Sequence, residues 1–233
     1  VVASLFADPK GRLVDKALHT YYSRRAQEYE AIYQRNDPLR QSELESIRQI
    51  LIEIFDSKRV LEIACGTGYW TEVIAPVAKQ ITATDFSLDV LEIAKSKTSL
   101  QSLRNRVIFQ QADAYELDTV NGRFDAGLAN FWFSHIPKAK ISHFLSGFHK
   151  KLNPGATVFM CDNVYITGVG GELIQKPDSP DTYKLRTLSD GSTHKVLKNY
   201  FTRKELKAIF EPHSTELEIH IGQCYWCIQY RVS

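Results

Sequence analysis

Two glycines set one residue apart, with an acid on either side of them, are the first place in this chain where residue types and spacing imply chemistry. In Val60-Leu61-Glu62-Ile63-Ala64-Cys65-Gly66-Thr67-Gly68-Tyr69-Trp70-Thr71, an apolar run ends at the glycines and a helix-like stretch follows. Glycines there let the backbone turn tightly and let a ligand approach the chain, and a helix beginning just after them offers unpaired N–H groups. At the carboxyl edge of a parallel sheet, such a turn is a nucleotide-type site. Glu62 stands four positions before Gly66, and Asp85 stands seventeen after Gly68. A carboxylate at the second place can accept hydrogen bonds from both ribose hydroxyls. The third glycine of a dinucleotide fingerprint would fall at Thr71, and no Gly-Lys-Ser/Thr follows, so neither a dehydrogenase nor a phosphate-loop protein is expected.

The composition fits a small ligand better than a polymer. A chain of 233 residues with net charge +2, 43% hydrophobic and 24% charged, suits one soluble α/β domain with a sizeable core. Lys+Arg 29 against Asp+Glu 27 leaves no surplus for neutralising phosphates, which argues against a nucleic-acid partner. No apolar run approaches the roughly 20 residues that span a bilayer, and no leader-like pattern opens the sequence, so a cytoplasmic protein without a membrane partner is expected. The four cysteines are scattered and read as reduced thiols. Cys224 and Cys227 lie in a strand-like run where residues three apart face opposite ways, so no shared metal or disulfide is expected there.

The apolar spacing then says what positions these groups. Residues 13–35 carry Leu18, Tyr21, Tyr22, Tyr29, Ile32 and Tyr33 at helical recurrence before Asn36-Asp37-Pro38 breaks the run. A second helix fits Leu39 to Phe55, with Leu44, Ile47, Leu51 and Ile54 on one stripe and Arg, Gln and Glu on the other; residues 1–56 thus read as a helical cap. Strand-like runs follow at Arg59 to Ala64, Gln80 to Thr84, Arg106 to Gln110, Phe124 to Ala129 and Thr157 to Cys161. Between them lie helices at Tyr69 to Lys79, kinked or shortened by Pro76, at Leu88 to Leu103 and at Lys138 to Leu152. That alternation generates a parallel sheet with right-handed crossovers, so 57–162 reads as a doubly wound α/β core. Within 163–200, Tyr183 to Leu188 and Thr193 to Tyr200 flank Asp190-Gly191 and predict an inserted β-hairpin. A helix at Thr202 to Phe210 and the runs Glu216 to Ile221 and Tyr225 to Val232, close enough to pair antiparallel, complete 201–233 of a single domain.

At these residues the chain resembles the class I S-adenosylmethionine-dependent methyltransferases, of the small-molecule type. Glu62-Ile-Ala64-Cys65-Gly66-Thr-Gly68 looks like that family's first motif, Thr84-Asp85-Phe86-Ser87 its second and Gln111-Ala-Asp113-Ala114 its third. The resemblance covers Lys58 to Asp162 and, by topology, the terminal strands. It implies a Rossmann-like sheet, mostly parallel with an antiparallel C-terminal strand, with S-adenosylmethionine as cofactor and S-adenosylhomocysteine as product. It further implies that Asp85 holds the ribose, that Asp113 and Ala114 meet the adenine, and that the glycine loop lies beneath the methionine portion. Phe86 would then give the adenine an apolar face. Trp70, Thr71 and Asn130 complete the candidate cofactor set, and Tyr22 and Arg25 would close over it, as the N-terminal helix does in similar small methyltransferases. Ala64 stands where the motif often has its first glycine, so the backbone is expected to sit differently there.

A sulfonium is already electrophilic, so methyl transfer needs chiefly an in-line nucleophile, excluded water and a complementary cavity. The expected lip of that cavity is Asn130-Phe131-Trp132-Phe133-Ser134-His135-Ile136-Pro137, whose aromatic faces can pack on a substrate or sit near positive charge. His135 lies just before a proline suited to a first helical position. The positive end of that helix would keep its imidazole neutral and able to act as a base, which makes it the candidate catalytic residue. Tyr21, Phe131, Trp132, Asp162, Asn163, Tyr183 and Arg186 are the candidate acceptor contacts, and Asp125, at the opposite sheet edge, is assigned to structure. The expected reaction is methyl transfer to an oxygen or nitrogen atom of a small molecule, with the oligomeric state open. Two rivals stand beside it. One is a nucleic-acid methyltransferase, disfavoured because Asn130-Phe-Trp-Phe replaces an Asn/Asp-Pro-Pro-Tyr-type motif; the other is a non-catalytic cofactor-binding regulator.

Overall fold

The computed structural model describes residues 6–7, 13–14, 30, 32–189 and 191–233. Its strands are β1 (Arg59–Ile63), β2 (Gln80–Asp85), β3 (Val107–Gln111), β4 (Phe124–Asn130), β5 (Leu152–Asn163), β6 (Leu173–Gln175), β7 (Thr182–Thr187), β8 (Thr193–Leu197), β9 (Ser214–Ile221) and β10 (Tyr225–Val232). The helices are α1 (Pro38–Ile54), α2 (Tyr69–Ile74), α3 (Leu88–Ser96), α4 (Thr98–Gln101), α5 (Ile141–Lys150) and α6 (Arg203–Phe210). The main sheet runs β9-β10-β5-β4-β1-β2-β3. Neighbours from β5 to β3 pair in parallel, whereas β10 is antiparallel to both β5 and β9. This is the expected doubly wound sheet with an antiparallel C-terminal strand. Its order reverses at β1, which has β2 on one side and β4 on the other, and the crevice above that switch point is where such sheets bind ligands.

Side-chain alternation splits the core into two layers. Val60, Leu128, Phe159, Cys161 and Tyr225 pack with Leu44, Ile47 and Leu51 of α1. Leu61, Ile63, Val158, Met160 and Trp226 pack with Phe144 and Phe148 of α5 and Phe210 of α6. Burial on both faces is what makes these strands nearly continuous apolar runs. Helix α1 starts where the sequence supplies a cap: the Asp37 carboxylate accepts the Arg40 N–H at 3.1 Å, and Pro38 takes the first turn.

Several expectations need correcting. Leu13–Val14 pair with Phe6–Ala7 as a two-residue antiparallel ladder rather than opening a helix, and Ile32, Tyr33 and Gln34 form a single 3-10 turn. The remainder of the expected 13–35 helix, with Tyr21, Tyr22 and Arg25, lies outside the described residues. Helix α2 stops at Ile74, two residues short of Pro76, and the expected 88–103 helix breaks at Lys97. Lys97 adopts extended backbone, and its ammonium is drawn to Glu30 and Glu72. Leu152 begins β5 instead of ending α5, so that strand is 12 residues long. The insertion is a three-stranded sheet, β8-β7-β6, not a bare hairpin; the third strand is only three residues long, too short to leave a periodic signal. Among the described residues, no helix is long and apolar enough to cross a membrane.

Candidate active site

The glycine loop leaves β1 at Ile63 and enters α2 at Tyr69. Ala64, Gly66 and Gly68 all have left-handed backbone, at φ 52°, 57° and 80°. Ala64 therefore adopts a glycine-like conformation without being glycine, at a cost of about 1 kcal/mol. Gly68 is needed twice over. Besides its positive φ, a Cβ there would lie 3.1 Å from the Ala94 Cβ and 3.2 Å from Leu100 Cδ1, so its lack of a side chain lets α3 and α4 pack against the loop. Asp85, ending β2, accepts the Gly66 N–H and the Ser87 N–H, each at 2.9 Å, which clamps its carboxylate beside the loop. Asp113, just past β3, accepts the Tyr115 N–H at 2.9 Å, and Ala114 beside it is half-buried.

Glu62 is buried and accepts the Thr71 hydroxyl at 2.6 Å. Burial, reinforced by the nearby Asp85, pushes its carboxyl up to about 8. It is therefore largely protonated at neutral pH. Thr71 is fully buried and meets the site through Glu62, while Trp70 donates its indole N–H to the Tyr33 hydroxyl at 3.2 Å. Cys65, also buried, continues the loop. Asn130 ends β4 with 7% of its surface exposed, and neither atom of its side-chain amide has a hydrogen-bond partner. Leaving buried donors and acceptors unpaired costs about 1–3 kcal/mol each, which makes this amide at the switch point a candidate ligand contact.

Directly after Asn130 the chain turns through Phe131, a non-glycine residue at φ 56°. Phe131 forms part of the wall of a cavity of about 100 Å³, together with Tyr33, Arg40, His135, Asn163 and Arg186. The sequence reading missed Tyr33, Arg40, Lys198, Tyr200 and Tyr225 on this wall. A signal for Arg40 was present, because Arg40, Leu44, Ile47 and Leu51 share one helical stripe and all are buried. Its guanidinium donates to the Tyr225 hydroxyl at 2.8 Å.

His135 is buried at this wall, with Nδ1 2.7 Å from the Leu197 carbonyl. A carbonyl only accepts, so Nδ1 carries the proton and Nε2 the lone pair. Burial, then the Lys198 ammonium, push the imidazole down to about 3. The ring is thus neutral as expected, but for a different reason: Pro137 caps a 3-10 turn at Lys138–Lys140 instead of opening a helix, and burial does the work assigned to a dipole.

The remaining candidate acceptor contacts divide. Phe131, Asn163 and Arg186 reach the cavity, whereas Trp132, Asp162 and Tyr183 do not. Tyr183 and Arg186 sit at odd and even positions of β7, so the two side chains leave opposite faces. Trp132 packs near Tyr115 and Phe144. Asp162 is fully buried, and its oxygens accept from the Lys198 ammonium at 2.8 Å, the Ser134 N–H at 2.9 Å and the Asn163 N–H at 2.7 Å. The Lys198 ammonium also donates to the Ser134 hydroxyl at 2.7 Å. This buried ion pair ties the end of the insertion to the loop that carries His135. Asp125 accepts the Arg59 N–H and the Asn153 amide, a structural role.

Residues 60–155 match a family model described as a methyltransferase domain. The demethylmenaquinone methyltransferase of Porphyromonas gingivalis is 31% identical over 115 residues, which cover 48% of this chain and 46% of that protein. The chain spans about half the length of the curated relatives it matches. Among solved structures, the DhpI complex with SAH superimposes with a TM-score of 0.73 at 23% identity, covering 94% of this chain and 96% of that one. The PH0226 protein from Pyrococcus horikoshii OT3 gives 0.69 at 16% identity, covering 88% and 99%. At these identities the structural likeness speaks for fold, and the motifs and the family match speak for kinship. Residues 60–155 thus match a methyltransferase domain, and the sheet built around them shares the fold of these two structures.

Proposed function

We propose that this chain transfers the methyl group of S-adenosylmethionine to an oxygen or nitrogen atom of a small molecule held in the cavity between Phe131, His135 and the insertion. The observation that carries this reading is Asn130, a buried amide with donor and acceptor both unpartnered. It lies between the glycine loop and the residue that starts the cavity wall. The residues present fit the cofactor. Asp85 would hold the ribose, its carboxylate already oriented by two backbone N–H groups. Asp113, Ala114 and Phe86 would surround the adenine, and Gly66 and Gly68 leave the loop bare beneath the methionine portion. When bound, the cofactor supplies a sulfonium methyl that needs no further activation. What remains for the chain is to orient the acceptor, exclude water and accept a proton where the acceptor carries one. Nε2 of His135, the ring's tautomer set by the Leu197 carbonyl, would take that proton. The insertion covers the cavity from the other side. Four free thiols suit a reducing compartment such as the cytoplasm.

The test is calorimetric titration with S-adenosylmethionine and S-adenosylhomocysteine, alongside turnover of a metabolite panel. Asp85→Ala is expected to weaken cofactor binding by about 1.5–3 kcal/mol, on the order of tenfold to a hundredfold or more. Unchanged affinity in the variant would remove Asp85 from the ribose site, and failure of the wild type to bind either compound would refute the reading.

A further inference from the structure

We infer that the methyl acceptor is a small anion whose carboxylate or phosphate-type group is held by Arg186; this rests on the proposed methyltransferase reading and names its substrate class. Among the described residues the cavity wall carries Arg35, Arg40, Arg186 and Lys198 and no Asp or Glu. Two of these cations are already answered. Lys198 faces Asp162 at 2.8 Å, and Arg40 has Asp37 at 3.6 Å together with the Tyr225 hydroxyl. Arg186 is half-buried, its backbone paired with His194 across the β7–β8 ladder, and its guanidinium makes no hydrogen bond or ion pair with a described residue.

Its guanidinium is nevertheless placed. A Cβ at Gly170 would lie 2.5 Å from Nη1 of Arg186, so the guanidinium rests against bare backbone at a glycine with φ 76°. The loop bearing Gly170 is pinned from below by the buried Lys184, whose ammonium donates to the Val169 carbonyl at 3.2 Å and the Gly171 carbonyl at 2.8 Å. A half-buried arginine, held in place and lacking a counter-ion among the described residues, presents a planar fork of N–H donors that matches two oxygens of a carboxylate or phosphate. An ammonium-bearing acceptor would meet the same field as repulsion, and a neutral one would leave it unanswered. A bound anion would also offset part of the positive charge that depresses the His135 imidazole, making Nε2 a better proton acceptor only once substrate is present.

The experiment titrates the free protein, and the protein saturated with S-adenosylhomocysteine, with four probes: inorganic phosphate, benzoate, benzamide as its neutral counterpart and benzylamine as its cationic one. Benzoate or phosphate should bind at least tenfold tighter than benzamide or benzylamine, and whichever of the two binds tighter identifies the oxyanion. Arg186→Gln should lose at least tenfold in anion affinity and Arg186→Lys less, both with S-adenosylhomocysteine affinity within twofold of wild type, which also shows that the variants fold. Equal affinity for benzoate and benzamide, an Arg186→Gln variant that binds anions as wild type does, or no anion binding at all would overturn the inference. If anions bind through Arg186 but neither S-adenosylmethionine nor its product binds, the anion site stands and the methyltransferase reading falls.

Discussion

The two halves of the candidate site are built by different means. The proposed cofactor edge comes from short runs at the ends of consecutive parallel strands: Glu62 to Gly68, Asp85 with Phe86, Asp113 with Ala114, and Asn130. Its shape is backbone shape, set by three left-handed residues and two N–H groups that clamp one carboxylate. The acceptor cavity draws instead on five distant stretches, from Ile32 to Arg40, Phe131 to His135, Asn163 to Gly170, Arg186 to Tyr200 and Cys224 to Tyr225. Its shape depends on side chains meeting across the fold and on a buried ion pair that holds the insertion down. A site made of local backbone tolerates change in the rest of the chain; one made of tertiary contacts does not. Damage to the clasp should therefore spoil acceptor use before it spoils cofactor binding.

Lys198→Ala should have the largest effect. It leaves the Asp162 carboxylate buried without its cation, which typically destabilises a protein by about 3–5 kcal/mol, a loss measurable by denaturant unfolding. Asp162→Asn in the same chain should recover part of that loss, and the double variant should keep cofactor affinity while acceptor turnover stays low. Equal loss of both functions would erase the distinction between the two halves.

His135→Ala sharpens it further. If the acceptor is a hydroxyl, turnover should fall by roughly 10²-fold, the low end of what a positioned base contributes, because an imidazole pushed down to about 3 is poorly matched to neutral pH. Cofactor affinity should hardly move. The sign of the pH dependence follows from the same shift. The ring protonates only as pH falls toward 3, so the wild-type rate should show no His135 limb near the ordinary histidine value of 6.5. A clear limb there, lost in the variant, would mean that bound substrate lifts the imidazole back toward its ordinary value.

The smallest expected effect lies on the cofactor side. Ala64→Gly removes the left-handed penalty at φ 52° and should stabilise the protein by about 1 kcal/mol, less the entropy that glycine adds to the unfolded chain. A destabilised variant would show that the Ala64 methyl group is needed by its neighbours.

How much of this was legible in the sequence follows the same division. The strand–helix alternation and the glycine turn are written in neighbouring residues, so Gly66, Gly68, Asp85 and Asn130 fall at or just past the carboxyl ends of β1, β2 and β4, as the alternation places them. The exception is instructive, since Ala64 was expected to shift the backbone and instead adopts the left-handed turn itself. On the acceptor side, Arg186 and Asn163 reach the cavity, but Tyr183 does not, because strand alternation lets only one of the 183/186 pair face inward. Asp162 was legible as an acid at the right sheet edge. That its charge is consumed by Lys198 depends on a partner 36 residues later, which no local pattern reveals.

That pairing makes the insertion behave like a cassette. Asn199, fully buried, donates its backbone N–H to the Ser134 carbonyl and its side-chain amide to the Ile136 carbonyl and Asp181, and its side-chain oxygen accepts from the Thr182 N–H. Asp181 in turn accepts the Lys138 N–H. Both ends of the inserted segment are thus fastened at its base, within a few residues of His135. Doubling the length of a loop whose ends are already held costs only about 0.6 kcal/mol in closure entropy. The interior of the segment, Gly170 and Arg186 included, is therefore free to diverge in length and composition over evolutionary time, while the methyl-donor edge and the histidine beside it keep their places.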